Sequence, residues 1–227
     1  MAMNIAILEG DGIGPEICAA ACKVLEAAND KYTLGLELIF ADVGLKSLKR
    51  HGTTLTDQTF EIVQSSDGIV LGPVSHLDYP PIQEGGLNPS GVLRKRLDLF
   101  ANIRPAKTRT ELQAPLGKPF DLIIYRENTE GFYSDRNLHE GIGDLLVTSD
   151  VAISIRRVTR QASLRIAEAA FQAAVARGKK VTAVHKQNVL KVSDGLFLDC
   201  CREVATRFPD VIYDEILVDA ACAHLVR

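Results

Sequence analysis

An α/β fold with substantial parallel pairing is what the sequence predicts. Short apolar runs alternate with segments of helical spacing, and glycine or proline marks the junctions between them. The run from Asn4 to Leu8 ends at a glycine-rich turn, after which Ile17, Ala20, Ala21, Val24, Leu25 and Ala28 recur at helical intervals, giving strand, loop and helix. Leu36, Leu38 and Phe40 alternate with Glu37, Ile39 and Ala41 as a second strand. Gly68-Ile69-Val70-Leu71-Gly72 reads as a third, buried one. Between them, Thr56 or Asp57 is placed to cap a short helix carrying Phe60 and Val63.

Residues 73–91 are rich in proline and glycine and form the longest expected loop, a natural site for a boundary or a binding surface. A helix near Ser90–Leu97, an extended stretch Phe100–Pro105, a strand Leu122–Tyr125 and a polar loop Asn128–Gly141 follow. Val151, Ile153 and Ile155 alternate as a further strand. Thr159 is expected to cap a long helix that Gly178 ends before a strand at Val181–Val184. A helix over about Ser193–Phe208, a strand Val211–Val218 and the start of another helix at Asp219 complete the pattern.

The composition excludes several classes. Of 227 residues, 46% are hydrophobic and 24% charged, a balance that supports a packed core and argues against disorder. Lys and Arg total 26 against 29 for Asp and Glu, so no broad electrostatic footprint for nucleic acid is expected. No apolar run is long enough to span a bilayer, and the first residues lack the pattern of a signal peptide, so the expected location is the cytoplasm. The five cysteines (Cys18, Cys22, Cys200, Cys201 and Cys222) form no C-x-x-C pair and are expected to be reduced, small packing residues.

The first turn, Gly10-Asp11-Gly12-Ile13-Gly14-Pro15-Glu16, lies between a strand and a helix, where glycines let backbone approach a ligand. Its spacing departs from the G-x-G-x-x-G dinucleotide fingerprint, and Asp11 is expected to set a negative charge beside any pyrophosphate. A purely structural turn is the plain alternative.

Further along, Arg94 follows the long loop in Leu93-Arg94-Lys95-Arg96-Leu97, and Arg104 stands between Ile103 and Pro105. A guanidinium engages a carboxylate with two parallel bonds, although Arg94, Lys95 and Arg96 could equally form a solvated helix face. Arg126 and Glu127 end a strand that leads into Asn128-Thr129-Glu130-Gly131-Phe132-Tyr133, and Lys186 follows another in Val184-His185-Lys186-Gln187-Asn188. Ligands of α/β sheets gather at such strand ends. Glu127 could instead neutralise Arg126, and Lys186 could be an ordinary surface lysine.

Taken together, these segments and Val218-Asp219-Ala220 resemble the β-decarboxylating dehydrogenase family, whose members act on isocitrate, 3-isopropylmalate, homoisocitrate and tartrate or malate. The resemblance runs over essentially the whole chain. It implies an isopropylmalate-dehydrogenase-like two-domain fold with mostly parallel sheets. Residues 1–99 would be the N-terminal part of a large cofactor and substrate domain. Residues 100–227 would be a second domain with a dimerisation arm at about 134–157 and part of the active site. The family pattern continues past the position of Arg227, so a truncated chain with an incomplete first domain, poorly active alone, is expected.

The resemblance further implies that Arg94, Arg104 and Arg126 hold the carboxylates of a malate-type substrate. Lys186, its pKa lowered by these cations, would take the 2-hydroxyl proton, and Tyr133 would protonate the enolate carbon after decarboxylation. Asp219 would bind Mg²⁺ or Mn²⁺, while Asn188 and Ile13 would contact NAD or NADP. The lysine and the aspartate would act in the partner's site, implying a homodimer with shared sites and no nucleic-acid or membrane partner. Asn88 and Ser90, one turn before Arg94, invert the Ser-x-Asn order of isocitrate enzymes and favour a polar substituent over an isopropyl group. A metal-free Rossmann reductase and a non-catalytic partner or regulatory subunit are the competing readings.

Overall fold

The computed structural model describes residues 2–109, 112, 117–133, 135, 137–178 and 180–225. The chain divides into two compact units, Met1–Asp98 and Leu99–Arg227.

In the first unit, β1 (Met3–Leu8) lies between β2 (Leu36–Ala41) and β3 (Gly68–Leu71), and both ladders are parallel. Being central, β1 buries Ala6, Ile7 and Leu8 completely. Helix α1 (Gly14–Tyr32) starts with Pro15 in its first turn, where a missing N–H costs nothing. Helix α3 (Asp57–Gln64) is capped by Thr56, whose hydroxyl accepts the Thr59 N–H at 3.0 Å. Between β2 and α3 lies α2 (Leu45–His51), which hydrophobic spacing does not announce, because Ser47 is its only buried residue. Helix α4 (Pro89–Arg96) closes the unit. The core joins Ala6 and Leu8 to Val43, Leu55, Phe60, Val63 and Leu93.

In the second unit, β4 (Ala101–Lys107) and β5 (Asp121–Glu127) pair antiparallel, as do β6 (Asp144–Thr148) and β7 (Val151–Ser154). Helix α5 (Arg160–Val175), strand β8 (Lys180–His185), helix α6 (Ser193–Ala205), strand β9 (Ile212–Leu217) and helix α7 (Val218–Leu225) follow, with β8 and β9 parallel. The fold is therefore mixed α/β. Among the described residues three ladders are parallel and two antiparallel. Thr159 caps α5 by accepting the Ala162 N–H. Helix α6 stops at Ala205, three residues before the expected Phe208, which instead stacks on Phe171 at 5.5 Å. Strand β6 has no buried residue and thus no alternation to read, and Leu145, Leu146, Val147, Val151 and Ile153 all stand exposed on the two-stranded arm.

All five cysteines are free thiols. Four are buried as small apolar residues, and burial pushes the Cys201 thiol up to about 12. Cys222 departs from that expectation by being exposed. No helix among the described residues is long and apolar enough to cross a membrane.

Phe171 is fully buried against Phe208 and Tyr213 and anchors a core of Ala167, Ala174, Ala183, Leu198, Cys201, Val204 and Val211. Phe171→Ala should therefore cost about 3–5 kcal/mol, read as a lower urea midpoint with secondary structure retained below it. An unchanged midpoint would show that this aromatic stack does not hold the second unit together.

Candidate active site

The first unit presents its glycine turn at the carboxyl end of β1. Gly10 has φ +75°, and a Cβ there would come within 2.1 Å of the Pro73 carbonyl, so the close approach of the two segments requires glycine. Asp11 is 6% exposed and points inward. Its carboxylate accepts the Leu45 N–H at 2.7 Å, the Ser75 N–H at 2.9 Å and the Tyr79 hydroxyl. Burial, and then the Asp11 carboxylate, push the Tyr79 phenol well above its ordinary range. Asp11 thus serves as an acceptor for three protein donors that tie the glycine turn to neighbouring segments. Ile13, by contrast, is 58% exposed at the start of α1.

Asn88 caps α4, its side-chain oxygen accepting the Gly91 N–H at 3.2 Å. The Ser90 carbonyl accepts the Arg94 Nε–H at 3.1 Å, which directs that guanidinium back along the first turn. Its neighbour Arg96 has a structural task, lying 3.5 Å from the Phe60 ring centroid and pairing with Asp57.

The second unit brings more of the expected residues together. In the β4–β5 ladder Asn102 faces Arg126 and Arg104 faces Ile124, and alternate residues share a face, so Arg104 and Arg126 project from the same side as diagonal neighbours. Both are exposed. Arg104 Nε donates to Asn102 Oδ1 at 2.8 Å, and an Arg126 guanidinium nitrogen donates to the Tyr133 hydroxyl at 2.8 Å.

Glu127 does not neutralise Arg126. It accepts the N–H groups of Thr129 and Glu130, each at 2.7 Å, the Thr129 hydroxyl at 2.6 Å and Arg165 at 3.1 Å. Glu130 in turn accepts the N–H and hydroxyl of Thr159 at 2.8 and 2.6 Å. Two carboxylates thus fix the loop that presents Tyr133.

The last pair of the β8–β9 ladder is His185 with Leu217, so the residues that follow leave the sheet side by side. Lys186 and Asp219 meet there, Nζ to Oδ1 2.7 Å. The Lys186 ammonium holds the Asp219 carboxyl below the usual carboxylate range. Within this unit the ion-pair partner of Lys186 is the Asp219 carboxylate. Asn188 is exposed in the turn that the Lys186 carbonyl closes by accepting from Val189 and Leu190.

Among the described residues no group of three or more His, Cys, Asp or Glu comes together. Asp219 is one hard oxygen donor where Mg²⁺ demands about six ligands, so these residues do not by themselves make the expected metal site. Glu130, Arg165 and Asp194 also support the site and were not anticipated, because nothing in local spacing distinguishes them from surface charges. The only available signals were Asp194 at the start of a helix and the acid-rich run Glu127–Glu130 after a strand.

The family model described as isocitrate/isopropylmalate dehydrogenase matches residues 4–227. A 3-isopropylmalate dehydrogenase of Sulfurisphaera tokodaii is 38% identical over the whole of this chain and 62% of its own length. An isocitrate/homoisocitrate dehydrogenase of Thermus thermophilus is 39% identical, covering 100% of this chain and 63% of the relative. The crystal structure of isocitrate dehydrogenase from Methylococcus capsulatus superposes with a TM-score of 0.82 at 36% identity, over 99% of this chain and 63% of that one. The chain thus spans a little over three-fifths of the length of these relatives.

Removing the Asp11 carboxylate should strand two backbone N–H groups and a phenol. Asp11→Ala is expected to lower unfolding free energy by about 2 kcal/mol or more and to bring the Tyr79 ionisation down toward the ordinary tyrosine range. Denaturant titration and ultraviolet pH titration check the two effects, and an unmoved Tyr79 would contradict the assigned clamp.

Proposed function

The chain belongs to the isocitrate/isopropylmalate dehydrogenase family, and from that premise we propose that it serves NAD- or NADP-linked oxidative decarboxylation of a malate-type 2-hydroxy acid. The observation that carries this reading is the Lys186–Asp219 pair, set at the carboxyl ends of two adjacent parallel strands. Oxidation of a hydroxy acid needs a base at the hydroxyl, and Lys186 is assigned to take that proton as hydride departs. The nicotinamide supplies the hydride acceptor, and the exposed Ile13 offers an apolar face suited to it, with Asn188 as a polar contact.

Arg94, Arg104 and Arg126 are assigned to the substrate carboxylates, which their forked donors suit. The β-keto acid formed by oxidation loses carbon dioxide, and Tyr133 returns a proton to the carbon left behind. Arg126, already donating to the Tyr133 oxygen, is placed to stabilise that oxygen as its proton leaves. Since Asp219 alone does not form a divalent-ion site, every step assigned here rests on these side chains. The polar pair Asn88 and Ser90 in the turn before Arg94 supports isocitrate or homoisocitrate over 3-isopropylmalate. The exposed apolar residues of β6 and β7 support a homodimer in which this arm packs on a second copy.

Two substitutions separate the roles. Lys186→Met should reduce nicotinamide reduction by hydroxy acid at least about 100-fold. Tyr133→Phe should slow overall turnover yet spare reduction of the isolated β-keto acid. Normal turnover in both variants, followed by nicotinamide absorbance, would refute the assignment.

A further inference from the structure

Lys186 is the first residue after β8, and strand hydrogen bonds no longer fix its backbone. Its N–H is nevertheless engaged. Asp194, in the first turn of α6, accepts it through Oδ2 at 2.5 Å. The other oxygen of the same carboxylate accepts from Arg156 at 2.5 Å, and that guanidinium nitrogen also donates to the Ser193 hydroxyl at 3.0 Å. The Asp194 side chain is 5% exposed and that of Arg156 29%.

A buried carboxylate without partners is costly, and one that is shared between a backbone N–H and a guanidinium is rigid, because each oxygen is held by a different donor. Asp194 is also tied to the Lys186 turn through its own N–H, which donates to the Leu190 carbonyl at 3.0 Å. The carboxylate therefore spans the turn that begins at Lys186 and the helix that follows it. Arg156 comes from the segment between β7 and α5, so three stretches of chain meet at one carboxylate.

We propose that Asp194, locked by Arg156, is the positioning residue for Lys186: it fixes the lysine backbone so that the side-chain nitrogen is held beside Asp219 and directed to where the substrate hydroxyl would lie. The proposal rests on the reading of Lys186 as the base. Asp194 touches no reacting atom. Its effect is on geometry, to which proton transfer is steeply sensitive, so that a displacement of about 1 Å can cost about 100-fold in rate.

The test is Asp194→Asn in the full chain, which keeps the side chain's shape and an acceptor oxygen but removes the charge that holds Arg156. The expected result is a fall in kcat of about 10- to 100-fold with KM little changed. The deuterium isotope effect on kcat for the 2-deuterated hydroxy acid should rise as chemistry becomes limiting. An activity-independent arm reads the acetylation of each lysine by acetic anhydride with peptide mass spectrometry. Labelling of Lys186 should rise severalfold as its pairing with Asp219 loosens, with Lys180 and Lys191 unchanged.

A folded variant with wild-type kcat and wild-type Lys186 labelling would overturn the proposal. Absence of dehydrogenase turnover in the unsubstituted protein would sink the functional reading instead, and the labelling arm would still decide the positioning. If Asp194→Asn does not melt cooperatively, Arg156→Lys takes its place. A lysine keeps the charge but loses the fork, so smaller changes in the same direction are expected, and none would overturn the proposal.

Discussion

A parallel ladder that ends on His185 and Leu217 releases the next residues of both strands at one edge, and this register is what brings Lys186 and Asp219 within 2.7 Å. The two are 33 residues apart in sequence, with a whole helix between them. A shift of one residue in the ladder would turn every side chain of β9 to the opposite face and separate the pair. Burial of Phe171, Leu198 and Val204 against the strands opposes such a shift, so the core of the second unit and the chemistry at its edge depend on the same alignment.

Carboxylates that accept backbone N–H groups recur in three of the loops that carry candidate site residues. Asp11 ties the glycine turn to the start of α2 and to Ser75. Glu127 folds the Tyr133 loop back on its own strand, Glu130 anchors that loop to the cap of α5, and Asp194 holds the Lys186 turn. Each replaces the hydrogen bonds that a strand or helix would have supplied, and a charged acceptor makes those bonds shorter and stronger. Loops fixed in this way keep functional side chains in place without regular secondary structure, which a binding surface needs.

Much of the architecture was legible in the sequence because local chemistry writes it. Thr56 and Thr159 announce their helices, Pro15 marks the first turn of α1, and apolar runs mark β1, β3 and β8, although β3, expected to be buried, is only half-buried. What escaped has no local signature. Helix α2 buries a single serine, and β6 buries nothing. Asn88, a residue whose type suits contact with a polar substrate, caps α4 with its side-chain oxygen. At the site, residue types at strand ends point to Arg126, Tyr133 and Lys186, whereas the inward turn of Asp11 and the work of Glu127 are set by partners two to 68 residues away. Charge alone does not say which way a carboxylate faces.

The central claim is that these side chains serve an oxidation followed by loss of carbon dioxide. It is tested most directly by incubating the purified protein with NAD or NADP, Mg²⁺ and isocitrate or homoisocitrate, and measuring reduced nicotinamide and carbon dioxide in the same sample. The account predicts equal amounts of the two at all times. Reduced nicotinamide without carbon dioxide would indicate a simple hydroxy-acid reductase, and neither product would contradict a catalytic role for Lys186 and Tyr133.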